Sequence, residues 1–107
     1  GSAVTHGGGG GGSAFATAGA AGGAGGGGAG GNNNTTNPTA GTVNTGGGGG
    51  GAERYLTATG GAGGSGIVIV RYADSFAAAA STTGSPTITV AGGYRVYTWT
   101  GSGSITF

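Results

Sequence analysis

Ile67–Tyr72 (IVIVRY) is a short apolar run rich in β-branched residues, and it is apolar on both faces that an extended chain presents. That pattern predicts a strand buried on both sides. Thr87–Val90 (TITV) predicts a second strand, Tyr94–Thr100 (YRVYTWT) a third and Ser104–Phe107 (SITF) a fourth. Successive side chains of a strand point to opposite faces. Tyr94, Val96, Thr98 and Thr100 therefore share one side of the third strand, and Arg95, Tyr97 and Trp99 the other. Trp99 is the only tryptophan, and a large aromatic on a strand reads as core before it reads as a ligand platform. Arg71 and Arg95 each flank a tyrosine and read as strand-end charges or as a partner for Asp74. Gly84-Ser85-Pro86 and Gly92-Gly93 are turns. Gly101-Ser102-Gly103 is a suitable three-residue loop for a hairpin between the last two strands. Ala77–Ala80 predicts at most one helical turn, too short to stand alone.

Residues 1–66 are organised differently, as glycine blocks alternating with short inserts. Gly7–Gly12 and Gly46–Gly51 are unbroken, Gly22–Gly31 is interrupted only by Ala24 and Ala29, and Gly60–Gly66 only by Ala62 and Ser65. The inserts are Ser13–Ala18 (SAFATA), Asn32–Thr45 (NNNTTNPTAGTVNT) and Ala52–Thr59 (AERYLTAT). The expected division is a glycine-block scaffold over 1–66 and a β region over 67–107, together one domain.

Composition sharpens the puzzle, because 33 of the 107 residues are glycine. Fixing a backbone costs roughly 1–2 kcal/mol per residue, and a typical hydrogen bond returns only about 0.5–1.5 kcal/mol net. A glycine region has no side chains to bury, so its order must come from main-chain bonds to something alongside. The plain alternative is a flexible linker. Collagen is excluded by consecutive glycines and only two prolines, Pro38 and Pro86. Silk-like stacking would need regular alternation of glycine with alanine or serine. The polyproline-II conformation of glycine itself fits better. It has three residues per turn, and all its N–H and C=O groups point outward. Without Cβ atoms, several such helices can pack closely and bond to one another, which satisfies their backbone groups. The expected fold class is therefore all-β or irregular, with packed polyglycine-II blocks and a small C-terminal antiparallel β-sheet.

Charge and candidate chemistry narrow the function. Net charge is +1, from Arg54, Arg71 and Arg95 against Glu53 and Asp74. No basic patch exists for nucleic acid, no cysteine for a disulfide or thiolate site, and no apolar run for a membrane span. His6 is the only histidine and stands beside a glycine run. Glu53 and Asp74 are the only acids, with no third polar group to complete a catalytic pair. The glycine runs lack the Lys-Ser/Thr ending of a phosphate loop. The expectation is a protein that is not an enzyme and has neither cofactor nor metal. The chain opens on Gly1-Ser2 rather than methionine, which reads as a fragment or a processed form.

Two motifs carry a resemblance. GGAGGSGIVIVRYADSF (Gly60–Phe76) followed by AGGYRVYTWTGSGSITF (Ala91–Phe107) resembles the end of glycine-rich tail-fibre proteins of tailed bacteriophages. In that family a glycine tract runs into a GGSGIVIxRY strand, and the chain often finishes with a YxxYxFTGSGSITF-like hairpin. The match covers about the last half of the chain, and Trp99 stands where phenylalanine is commoner. The blocks and variable inserts before it are similar to the receptor-binding adhesins of the same group. The resemblance implies a virion protein, extracellular, whose polyglycine-II sandwich displays loops to the bacterial surface. Its partners would be a cell-surface receptor, protein or glycan, and other tail-fibre chains or further copies of itself.

The candidate receptor contacts then lie in the inserts. They are Phe15 in the first, Asn32, Asn33, Asn34 and Asn37 in the second, and Arg54, Tyr55 and Leu56 in the third. Asparagine offers hydrogen bonds, and tyrosine and arginine are favoured at binding hot spots. The bland reading of the same residues is polar turns with a few side chains plugging the scaffold edge. A competing reading of the whole chain is a self-assembling extracellular filament subunit. In it Ser104–Phe107, as an unpaired final strand, and Ile67–Tyr72 would supply edges for strand addition. Ice binding is a weaker third reading, because the threonines are clustered in inserts instead of regularly spaced along one face.

Overall fold

The computed structural model describes residues 3–33, 35–54 and 59–107. Its regular structure is all-β, and no helix occurs among the described residues. The chain divides after Gly66 into two compact units.

The C-terminal unit, Ile67–Phe107, holds five strands: β1 (Val68–Ala73), β2 (Ser81–Thr83), β3 (Thr87–Ala91), β4 (Tyr94–Trp99) and β5 (Ser104–Thr106). β4 lies between β1 and β3, antiparallel to both, with Val70 and Ile88 opposite Tyr97. The alternation along β4 sorts its side chains as expected, so that Tyr97 and Trp99 are buried together. Their rings stack 6.0 Å apart, Tyr72 stacks on Tyr97 at 6.0 Å, and Phe107 meets Tyr72 edge-on at 5.6 Å. This aromatic row is the core of the unit. On the other face the Arg71 guanidinium lies over the Tyr94 ring, 3.8 Å from its centroid, so Arg71 serves as a ring partner and not only as a strand-end charge.

Three expectations need correction here. β1 is not buried on both sides. It is an edge strand of a three-stranded sheet, and Val68 and Ile69, on opposite faces, are 59% and 48% exposed. The final two strands do not form a hairpin, because both hydrogen-bonding edges of β4 are already occupied by β1 and β3. β5 instead pairs with β2, which the sequence reading had not identified as a strand. Ala77–Ala80 is not helical. Phenol groups of the core hold this stretch open: Ala79 N–H donates to the Tyr97 hydroxyl at 2.9 Å, and the Tyr72 hydroxyl donates to Ala77 C=O at 3.0 Å. Just beyond it, Trp99 Nε1–H donates to Thr83 C=O at 2.8 Å, so the aromatic row also anchors β2.

The glycine unit contains six extended segments: 7–12, 19–23, 27–31, 38–42, 46–51 and 60–65. Their bonds recur every third residue. Gly8, Gly11 and Ala14 donate to Gly25, Gly28 and Gly31, Gly28 and Gly31 donate to Gly48 and Gly51, and Gly48 and Gly51 donate back to Gly8 and Gly11. The first, third and fifth segments therefore run parallel in a closed ring of donors. The others run against them. Ala20 and Gly23 donate to Gly12 and Gly9, Thr39 and Thr42 to Ala29 and Gly26, and Gly61 and Gly64 to Gly50 and Gly47. With Gly41 donating to Ala62, the neighbours resolve into two stacked rows of three: second, third, fourth over first, fifth, sixth.

Among the described residues of this unit every buried position is glycine: Gly8, Gly11, Gly28, Gly30, Gly31, Gly41, Gly47 and Gly50. The core formed by these described residues has no side chains. A Cβ at Gly28 would come within 3.0 Å of the Thr39 and Ala40 carbonyls, and one at Gly50 would overlap the Ala29 carbonyl. Such contacts explain the block pattern. The third and fifth segments have neighbours on most sides, so almost every position must be glycine. The second, fourth and sixth need it only at their inward third positions, Gly19 and Gly22, Gly41, and Gly61 and Gly64. Elsewhere they carry exposed Ala20, Ala21, Thr39, Ala40, Thr42, Ala62 and Ser65. Asn32–Thr45 is consequently not one insert. Its stretch 38–42 is a frame segment, which leaves a loop over 32–37 and a turn over 43–46.

Candidate functional site

Because the first, third and fifth segments are parallel, the stretches that follow them leave from one end of the unit. Three bonds hold their exits level: Ala14 N–H to Gly31 C=O at 3.1 Å, Gly31 N–H to Gly51 C=O at 3.0 Å, and Gly51 N–H to Gly11 C=O at 2.9 Å. A parallel bridge pairs Ala14 with Asn32 at the same level. The three inserts thus start side by side. Among the described residues the opposite end carries, beside the start of the first segment and the end of the sixth, the turns over 24–26 and 43–46. The second of these is clasped by Ser65, whose hydroxyl accepts from Asn44 N–H at 2.9 Å and donates to Asn44 Oδ1 at 3.1 Å.

The candidate contacts take different roles at the insert end. Phe15 is 57% exposed. Asn32 holds its own loop: its Oδ1 accepts from Thr35 N–H and Thr36 N–H, each at 3.0 Å, while its N–H donates to Thr36 C=O at 3.0 Å. This is the local side-chain-to-backbone turn that asparagine favours. Asn33 is half-buried, Arg54 is exposed in a turn, and Asn37 is exposed. Asn34, Tyr55 and Leu56 lie outside the described residues.

Asn37 borders a polar groove of about 420 Å³. One wall is Asn37, Pro38 and Ala40, where the second insert enters the frame, and the other is Thr59, Gly60, Gly61 and Ala62, where the third one does. Thr59 and Pro38 were not among the sequence candidates. The signal available was positional: each is the residue at which an insert passes into a frame segment.

The β unit has a second groove, of about 340 Å³, lined by Val68, Val70, Trp99, Ile105 and the 101–104 loop. Its aromatic floor is core, and the indole N–H is already bonded to Thr83. Beside it, burial pushes the Tyr72 phenol above the ordinary range, as does its hydrogen bond with Tyr97. The Tyr97 phenol is lowered, first by its bond with Tyr72 and then by the one it accepts from Ala79 N–H. Among the described residues no group of three or more His, Cys, Asp or Glu side chains is placed to hold a metal ion, and no helix is long and apolar enough to cross a membrane.

Comparison of the chain with family models, with curated proteins and with solved structures finds no match in any of the three.

Proposed function

We propose that this chain is a receptor-binding component of a phage tail fibre, whose glycine unit is a stack of polyglycine-II helices displaying its inserts to a bacterial surface receptor. The observation that carries the reading is the common exit of three inserts from three parallel segments, held level by main-chain bonds. The repeat of three in those bonds supports the polyglycine-II conformation, which has three residues per turn. The bonding is backbone to backbone, so insert residues can change without disturbing the frame. That property suits a protein whose contact surface varies while its support does not. The C-terminal motifs, GGSGIVIVRY and YTWTGSGSITF, support the tail-fibre setting. The filament reading drew on Ser104–Phe107 as an unpaired strand and on Ile67–Tyr72 as a second edge; the first support is reduced because β5 pairs with β2, while β1 does stand at a sheet edge.

The test is adhesion. The purified chain is expected to bind intact cells of a susceptible strain, and replacing residues 13–18, 32–37 and 52–59 with Gly-Ser stretches of equal length should abolish binding while the frame keeps a cooperative melting transition. Binding that persists with all three replaced would sink the reading. Slow amide exchange at Gly11, Gly28, Gly31 and Gly48 tests the frame itself.

A further inference from the structure

The groove between Asn37–Ala40 and Thr59–Ala62 has properties that the frame does not require. Some polar side chains near the frame are engaged within the chain. The Asn32 oxygen caps its loop, and the Thr39 hydroxyl accepts Ala29 N–H at 2.7 Å. Among the described residues, the Asn37 amide and the Thr59 hydroxyl form no hydrogen bond. Gly60 is also unexplained by packing. A Cβ there would meet only Gly50 C=O, at 3.6 Å, an ordinary contact, whereas one at Gly61 would collide with Thr39 C=O. Gly60 thus leaves main chain bare in the groove without being needed by the frame.

The walls are fixed relative to each other. Gly50 donates to Thr39 C=O at 2.9 Å and accepts from Gly61 N–H at 2.8 Å, and Gly41 N–H donates to Ala62 C=O at 2.9 Å. A preformed site loses less freedom on binding than a mobile one. The volume lies within the roughly 300–1,000 Å³ typical of small-ligand pockets.

We propose that this groove takes one neutral sugar ring of a bacterial surface polysaccharide. The inference rests on the reading of the insert end as a recognition surface and deepens it. An amide and a hydroxyl each both donate and accept, which matches sugar hydroxyls. Bare glycine backbone admits a ring edge closely, and the Pro38 ring offers an apolar surface for the ring's C–H face. Among the described residues no ionisable side chain lines the groove, so a charged ligand would meet no countercharge from them. Among the same residues no aromatic or arginine side chain lines it, although protein interfaces depend on such anchors.

The experiment uses the full chain, labelled, on intact cells of a strain it binds, after periodate oxidation of vicinal diols or after protease treatment. Periodate should abolish binding and protease should leave it. Asn37→Ala and Thr59→Ala should each weaken binding about 2- to 10-fold, the range expected for one neutral hydrogen bond. Gly60→Ala should weaken it at least as much, and all three variants should melt like the parent. Binding that survives periodate but not protease would overturn the sugar assignment and leave recognition standing. Periodate-sensitive binding that all three variants retain in full would overturn the groove. If no strain is bound at all, the recognition reading itself fails.

Discussion

At the scale of single residues, the glycine unit separates positions that must be glycine from positions that merely are. Gly28 is buried against Thr39 and Ala40 carbonyls, while a Cβ at Gly9 would meet nothing within 4 Å. Gly28→Ala should therefore cost about 1–3 kcal/mol, the usual range for overpacking. Gly9→Ala should be neutral or stabilise by up to about 1 kcal/mol, because it restricts the unfolded chain. Denaturant unfolding of the two variants checks both. The tyrosine pair supplies a pH expectation. A phenol whose folded value is raised, as at Tyr72, adds stability that is present below its unfolded value and lost as pH rises through the folded one. A lowered phenol, as at Tyr97, adds stability as pH rises above its folded value, so the two oppose each other in the alkaline range. Tyr72→Phe removes the largest cause of the Tyr97 shift. Tyr97 should then titrate at higher pH, as followed by the NMR signal of its Cζ carbon. An unmoved titration would mean that the bond between the phenols is not what lowers it.

At the scale of elements, the sequence showed what was local and missed what depended on neighbours. β1, β3, β4 and β5 were legible from β-branched runs and turn residues, and the burial of Trp99 from alternation along β4. The partner of β5 was not, because it depends on β1 and β3 having filled both edges of β4. β2 was not legible either: Ser81–Thr83 has no apolar side chain, and its neighbourhood is organised by polar groups of the distant residues Tyr97 and Trp99. The segment 38–42 escaped notice as part of the frame because it contains one glycine, the only inward position it has. The β3–β4 turn was legible and gives an expectation. Gly92 and Gly93 have φ of +58° and +83°, and Ala91 faces Tyr94, so this is the two-residue hairpin turn with both φ positive. Gly93→Ala should destabilise the β unit by about 1–2 kcal/mol, whereas Gly92→Asn, the residue pair such turns favour, should be tolerated. Thermal melting of each variant decides this.

At the scale of the whole molecule, two units are held together by different chemistry. Ile67–Phe107 depends on a row of aromatic rings, and the glycine unit on main-chain bonds that repeat every three residues. The candidate site was only partly legible. The inserts were visible as interruptions of glycine, but their common exit follows from the parallel course of the first, third and fifth segments, which no local pattern encodes. The unbroken run Gly46–Gly51 also decides which length changes the frame can absorb. One glycine added after Gly48 leaves every position of that segment glycine, so each bonding N–H is replaced by an identical one and the extra residue passes into the stretch beginning at Ala52. Cooperative melting should survive. One alanine added at the same place would stand where Gly49 stands, with its Cβ against Gly61 C=O, and melting should be lowered. Reach beyond the frame is thus adjustable one glycine at a time, and a lineage can lengthen one finger of this surface while its companions stay where they were.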